Sequence, residues 1–404
     1  MSVLTRVPQV VGAGLPVPVP GGSVPYANLD HAASAPCLEA VQEAVVRALP
    51  AYSSVHRGAG YASQVTTRAY ETARETVRDF LGGPEAVVFT RNTTDALNLL
   101  AGAVPEGTSV VVFESEHHAT LLPWRNAVRL PVPASPGAAL ADAEQALRQC
   151  PAGPRLLVVT AASNVTGELW PIAELAEIAH RHGARIAVDA AQLVPHRPLD
   201  ARGLDYVAFS GHKLYAPFGA GVLAGRADWL RAADPYLRGG GASSHVGDGV
   251  RWAADPEQRH EAGTPNVLGA VALAAACATL AAGWDTVAEH ERRLLERLQA
   301  GLADLPGVRE LSLWGLEHPR VGIVAFTVDG HAPRAVAERL SAEHGIGVRD
   351  GRFCAHPLVR HLVGGAAGEG CAEGDTAIRA SIGLGTVDEH VDRLLEALAA
   401  ICDG

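Results

Sequence analysis

From residue 86 onward the apolar positions change period in a regular way. Short, nearly continuous apolar runs alternate with longer segments in which apolar residues recur every three or four positions. Ala86–Thr90, Ser109–Phe113, Leu156–Thr160, Arg185–Asp189, Tyr206–Ser210 and Gly221–Ala224 are the short runs and predict strands. The longer segments predict helices over 94–103, 139–148 and 172–182, with Pro171 suited to the first turn of the last. Strands with no polar face are buried on both sides. The alternation therefore predicts an α/β fold, a mainly parallel sheet covered by helices.

The flanks read differently. Residues 1–25 are rich in Pro and Gly and predict an extended arm, with order beginning at Tyr26. A helical face made of Ala40, Val41, Ala44, Val45 and Leu49 spans 37–49. A second helix spans 66–81 and is stopped by Gly82-Gly83-Pro84. The uncharged run Val267–Trp284 is long enough to raise the question of a membrane span. Its many alanines and the lack of a flanking Lys/Arg cluster predict a small-residue helix packed inside the protein instead. Asp285 or Thr286 then caps a long amphipathic helix, with Thr286-x-x-Glu289 as a capping box and Val287, Leu294, Leu298, Leu302 and Leu305 as its apolar line. A domain boundary is expected here, dividing a large domain (26–285) from a smaller α+β domain (286–404). The latter carries strands near 309–313, 321–328 and 378–381 and helices over 333–344 and 387–401. The Gly/Ala/Glu-rich stretch 364–374 is expected to be a mobile loop.

Composition narrows the function. A net charge of −11 argues against nucleic acid and against an anionic membrane surface as partners. The six cysteines are scattered and form no C-x-x-C pair, which fits reduced thiols in the cytoplasm better than a disulfide framework or a zinc site. Prolines and glycines interrupt the N-terminus, so it does not read as a signal peptide.

One residue changes the picture. Lys213 is the only lysine in the chain, and it follows the buried run Tyr206–Ser210 in Ser210-Gly211-His212-Lys213. A preference for Arg explains why Lys is rare but not why the one Lys stands here. An amine can be desolvated, deprotonated and used as a nucleophile, and a guanidinium cannot. Asp189 ends another apolar strand. In an open α/β sheet ligands bind at such strand ends. By itself Asp189 equally reads as a helix N-cap. Together with Lys213 it is the pair that pyridoxal phosphate (PLP) chemistry uses, an amine for the Schiff base and a carboxylate for the pyridine nitrogen.

At these residues the chain resembles the class V aminotransferase group of PLP enzymes, of fold type I, and within it the SufS-type cysteine desulfurases. The motifs that carry the resemblance are Leu29-Asp30-His31-Ala32-Ala33-Ser34-Ala35-Pro36, His56-Arg57-Gly58, Thr93-Thr94-Asp95-Ala96-Leu97-Asn98, Glu116-His117-His118-Ala119, Ser163-Asn164-Val165-Thr166-Gly167, Glu261-Ala262-Gly263-Thr264-Pro265-Asn266 and Cys354-Ala355-His356-Pro357, besides the Asp189 and Lys213 blocks. The resemblance implies a seven-stranded, mainly parallel sheet in the large domain and PLP as cofactor. It implies that Thr93, Thr94, Ser210 and His212 hold the phosphate, with Thr264 reaching the site of a second subunit in a homodimer. His117 is implied to stack on the ring, Asn164 and Gln192 to meet the ring hydroxyl, and Arg379 to bind the substrate carboxylate, with Ala32, His31 and Asn164 also touching substrate. Cys354 is implied to take sulfur from cysteine and pass it to an acceptor protein. The frame Arg-x-Gly-x-x-Cys-Ala-x-Pro is kept over 349–357, but Arg352-Phe353 stand where such enzymes commonly carry two histidines. Arg352 could activate the thiol, or Phe353 could leave it inert. In the second case the chain is another class V enzyme (an aminotransferase, epimerase or lyase) and Cys354 is not catalytic. A non-catalytic PLP-binding or scaffold protein is a more distant alternative.

Overall fold

The computed structural model describes residues 6–364 and 374–403. The expected loop at 364–374 lies, apart from its two end glycines, outside the described residues. At the centre is a seven-stranded sheet. In chain order its strands are β1 (Ala86–Thr90), β2 (Ser109–Phe113), β3 (Val128–Leu130), β4 (Arg155–Thr160), β5 (Arg185–Asp189), β6 (Tyr206–Ser210) and β7 (Gly221–Gly225). In space the order is β1-β7-β6-β5-β4-β2-β3, and only β7 runs against its neighbours. The central strands are buried along nearly their whole length, as the runs without a polar face require. Strand β3, of three residues, is too short for a periodicity argument and is absent from the sequence-based expectation.

A second, four-stranded antiparallel sheet is built from β8 (Val308–Leu311), β9 (Ile323–Val328), β10 (Arg349–Gly351) and β11 (Ala377–Ser381), in the order β8-β9-β11-β10. Helices Trp284–Ala303, Pro333–His344 and Asp388–Cys402 cover it. The long helix begins at Trp284 with Gly283 at the cap position, so Thr286 stands inside the first turn and not at the cap. The N-terminal segment also joins this unit. Ala27–Asn28 pair in parallel with Ile346–Gly347, and Ala27 and Leu29 pack with Leu294, Leu298, Phe326 and Ile346.

The expected extended arm is partly a hairpin. Pro16–Val19 pairs with Gly22–Pro25 across the turn Pro20-Gly21, with Gly21 at φ +89°. Pro followed by Gly suits such a turn, and an isolated ribbon tolerates the prolines at 16, 18 and 25, which a central strand would not. The uncharged run forms the helix Val267–Ala281, largely buried against the helices Glu39–Ala48 and Tyr61–Phe80. No single helix among the described residues is long and apolar enough to cross a membrane.

One buried ionic cluster fastens the first long helix to the sheet. Arg74 meets Glu261 through two hydrogen bonds of 2.7 and 2.8 Å and also donates to the carbonyl of Val87. Glu261 accepts from the Tyr70 hydroxyl and the Phe89 N–H as well. The edge of β1, the helix and the Gly263-Thr264-Pro265 turn are thus held from one point.

Candidate active site

The ends of β1, β2, β4, β5 and β6 and the start of β7 meet at one edge of the large sheet. There they enclose a cavity of about 230 Å³. Strand ends deliver Thr160, Asp189 and Ser210 to it, and the loop after β6 delivers His212 and Lys213. The helix α1 (Thr93–Ala103) points its N-terminus into the same space, with Asn92 as N-cap accepting from Asp95 N–H. Glycine makes this approach possible. A Cβ on Gly221 would lie 2.6 Å from the Asn92 backbone, so any larger residue would push the start of α1 off the sheet.

Lys213 stands at the floor. Burial pushes its amine down to about 8, a shift partly offset by the Asp189 carboxylate. Asp189 accepts from the Thr120 hydroxyl at 2.7 Å and from the Ala191 N–H at 2.9 Å. Beside it, Glu116 is wholly buried and accepts from the Thr160 N–H. Burial, with the neighbouring Asp189 carboxylate, pushes the Glu116 carboxyl well up, which favours its neutral form. His117 caps the short helix His118–Leu121. Its Nδ1 accepts from Ala119 N–H, so in the neutral ring the proton sits on Nε2. Burial, with the charge of Lys213, pushes this imidazole down to about 4.

On the other wall Arg379 is buried. It donates to the Asp30 carboxylate at 3.0 Å and to the Asn164 carbonyl at 2.9 Å, and its guanidinium lies 5.1 Å over the Phe353 ring. Cys354 is exposed to solvent and lines the cavity. Phe353 and Cys354 both adopt left-handed backbone, at φ +51° and +54°. Two successive non-glycine residues in that region cost of order 1–3 kcal/mol each, so the surroundings must impose the turn. Asn164 Nδ2 donates to Phe353 O at 2.7 Å, and His118 N–H donates to Cys354 O at 2.7 Å. Phe353 is buried with Val165, Leu358 and Val359, and Arg352 Nε donates to Asp375 O. Phe353 is therefore largely buried, though it lines the cavity beneath Arg379, while Cys354 lines it and is exposed.

Thr93, Thr94, His117, Asn164, Asp189, Gln192, Ser210, His212, Lys213, Cys354, Arg379 and Ala32 all line the one cavity. Two expected residues do not. His31 is buried, with Gly383 against its ring and neither ring nitrogen partnered among the described residues, and it does not line the cavity. Thr264 is exposed on its turn and away from its own chain's cavity. Asn164 has its Nδ2 engaged by Phe353. Thr120, Thr160, Ala191 and Arg349 are site residues that sequence reasoning missed. Thr120 sits one turn beyond His117, and nothing in the residue type marks it. Arg349 opens the Arg-x-Gly-x-x-Cys frame, a signal that was present but carried no role.

The donor set fits pyridoxal phosphate. An anion suits the start of α1, where Thr93, Thr94, Ser210 and His212 stand together; Thr93 N–H donates to Ser210 Oγ at 2.8 Å. A low-pKa amine and a carboxylate held by two donors supply the other attachment points. Gln192 Nε2 donates to Ala32 O, which leaves a buried Oε1 with no partner among the described residues, as expected where a ligand completes the hydrogen bonding.

Comparison with known proteins agrees with this geometry. The family model described as aminotransferase class-V matches residues 27–394. A cysteine desulfurase of Klebsiella pneumoniae is 37% identical over 398 residues, covering 93% of each chain. One of Dickeya dadantii is 37% identical, covering 93% of this chain and 92% of its own. Among solved structures, the apo cysteine desulfurase of Thermococcus onnurineus superposes with a TM-score of 0.83 at 32% identity, covering 94% of this chain and 95% of that one. The cysteine desulfurase CsdA of Escherichia coli, in an S-sulfonic acid form, does so with a TM-score of 0.79 at 33% identity and the same coverage. With its fold, its lysine-centred cavity and these likenesses in agreement, the chain belongs to the class-V aminotransferase family of PLP-dependent enzymes.

Proposed function

We propose that this enzyme is a cysteine desulfurase that converts L-cysteine to L-alanine and keeps the sulfur as a persulfide on Cys354. The observation that carries the reading is that the Cys354 thiol is exposed on the same cavity as Lys213, Asp189 and Arg379. PLP, when bound, supplies an electron sink that loosens the bonds around the substrate Cα.

The chain's own residues do the rest. Arg379, with Arg349 beside it, receives the substrate carboxylate. Lys213, with its amine near the working pH, takes and returns protons at Cα and Cβ. His117 presents an Nε2 proton above the cavity floor. Cys354, as thiolate, attacks the substrate sulfur. The new S–S bond forms as the Cβ–S bond breaks, the electrons of that bond stay with carbon, and protonation there completes alanine. Asn164 and the His118 N–H keep the thiol's loop in its left-handed turn during the attack. A thiol that must be free between turnovers needs a reducing compartment, which points to the cytoplasm. The exposed Thr264 turn fits a homodimer in which each copy completes its neighbour's phosphate site, and the sulfur would leave to an acceptor protein.

The test is mass spectrometry of the purified holoenzyme given L-cysteine without reductant. Alanine, together with one added sulfur on the peptide carrying Cys354, is expected, and Cys354→Ser should lose both. Turnover that survives Cys354→Ser would overturn the reading and leave another class V reaction in which Cys354 takes no part.

A further inference from the structure

Arg349 and Arg379 stand directly opposite one another on the antiparallel strands β10 and β11, so their side chains leave the sheet on the same face. Like charges placed so oppose strand pairing unless an anion lies between them. The structure supplies one. Asp30 Oδ1 accepts from Arg379 at 3.0 Å, and its Oδ2 lies 3.8 Å from the Arg349 guanidinium.

Asp30 comes from the far end of the chain and is held rigidly. Its backbone bridges to Ser381, its N–H donates to Asn28 Oδ1, and its carbonyl accepts from the N–H groups of Ala33 and Ser34. Both arginines line the cavity, whereas Asp30 does not. Two arginines and one aspartate leave a net charge of +1 facing the cavity, enough to take one more carboxylate.

We propose that Asp30 is a positioning residue for the substrate-carboxylate subsite. It draws Arg349 and Arg379 to one point and orders them before substrate arrives, and so sets how strongly the enzyme prefers an amino acid over the corresponding amine. This rests on the reading that Arg379 receives the substrate carboxylate, but not on cysteine being the substrate. Two long cations ordered in advance lose less freedom on binding than two free ones. Removing Asp30 therefore weakens carboxylate binding, although it removes a negative charge from the site.

The experiment is a titration of the holoenzyme and its Asp30→Asn variant, read by the change in cofactor absorbance. L-Alanine is compared with ethylamine, and L-cysteine with 2-aminoethanethiol. Asp30→Asn should raise the apparent Kd for both amino acids about tenfold and leave both amines within about twofold. KM for cysteine should rise in step, with kcat within about threefold. Equal weakening of amino acids and amines would mean a general disturbance, and unchanged or tighter binding of the amino acids would mean that Asp30 merely competes for the arginines. Either result overturns the proposal. Failure of the desulfurase reading shows separately, as absence of alanine from the wild-type enzyme given cysteine. If Asp30→Asn does not fold, the test passes to Asp30→Glu and Arg349→Gln, singly and together. The combined loss of amino-acid affinity must then be smaller than the product of the single losses; multiplicative losses overturn the proposal.

Discussion

The side chain of Asn164 donates to the carbonyl of Phe353 at 2.7 Å, while its own main-chain carbonyl accepts from Arg379 at 2.9 Å. One residue thus ties the loop of the proposed nucleophile to the proposed carboxylate anchor, across 189 and 215 residues of sequence. Replacing it by Ala leaves the backbone bond to Arg379 and, within the protein's described residues, removes the bond to Phe353. A buried carbonyl that loses its partner costs about 1–3 kcal/mol, and here the cost falls on a strained turn. Asn164→Ala should lower kcat by roughly tenfold to a hundredfold and speed alkylation of Cys354 by iodoacetamide. Unchanged alkylation would show that the turn is held by other contacts.

Thr120 is fully buried and spends its hydroxyl on Asp189. Thr120→Val keeps the shape and leaves that carboxylate with Ala191 N–H as its remaining donor. A lost bond to a charged group is worth about 1.5–3 kcal/mol. The cofactor Kd, measured by equilibrium dialysis, should rise about tenfold, and the melting temperature of the apoenzyme should fall by a few degrees, because the bond is already made without cofactor.

The Lys213 amine, pushed down to about 8, gives a pH signature. Only the neutral amine attacks an aldehyde. The rate at which apoenzyme takes up PLP should therefore fall about tenfold per pH unit below about 8, where an ordinary lysine would place that limb near 10.4. Stability follows by linkage. The folded value lies below the unfolded one, so the lysine's unfavourable contribution is complete below pH 8 and is relieved as pH rises from about 8 to about 10. For His117, pushed down to about 4, the unfolded chain binds the proton first. Its contribution to stability is present above about pH 6.5 and is lost as pH falls from there towards 4. Stopped-flow uptake and apoenzyme melting across this range check both signs.

The Arg74–Glu261 pair is buried on both sides, with side chains 4% and 7% exposed. Removing one partner leaves an unpaired buried charge and costs about 3–5 kcal/mol. Arg74→Met should lower the melting temperature by roughly 5–10 °C. Adding Glu261→Gln should recover part of that, because Gln has no charge to strand and can still accept from Phe89 N–H. A further drop in the double variant would show that the hydrogen bonds matter more than the charge.

Much of the fold was legible. The runs at 86–90, 109–113, 185–189 and 206–210 form strands with the same bounds, because a strand buried on both faces must be apolar throughout and stops where polar residues begin. The hairpin at 16–25 was hidden by its prolines, which read as an arm wherever no partner strand is known. The long helix begins at Trp284, ahead of Thr286, since packing outweighed the capping pattern. Lys213 and Asp189 could be picked out because few functions need an amine or an acid at a strand end.

What the sequence determined by itself is the set of chemical groups and the elements that carry them: composition and periodicity are local, and local rules read them. The direction of each side chain was decided only by the tertiary structure. His31 and Ala32 are neighbours in one motif, yet Ala32 lines the cavity and His31 does not. Phe353 and Cys354 both line the cavity, yet Phe353 is packed and buried and Cys354 is exposed. Asp30 meets Arg379 across 349 residues of chain. Strand register and close packing against distant elements set these directions, and neither is written in the spacing of residues along the chain.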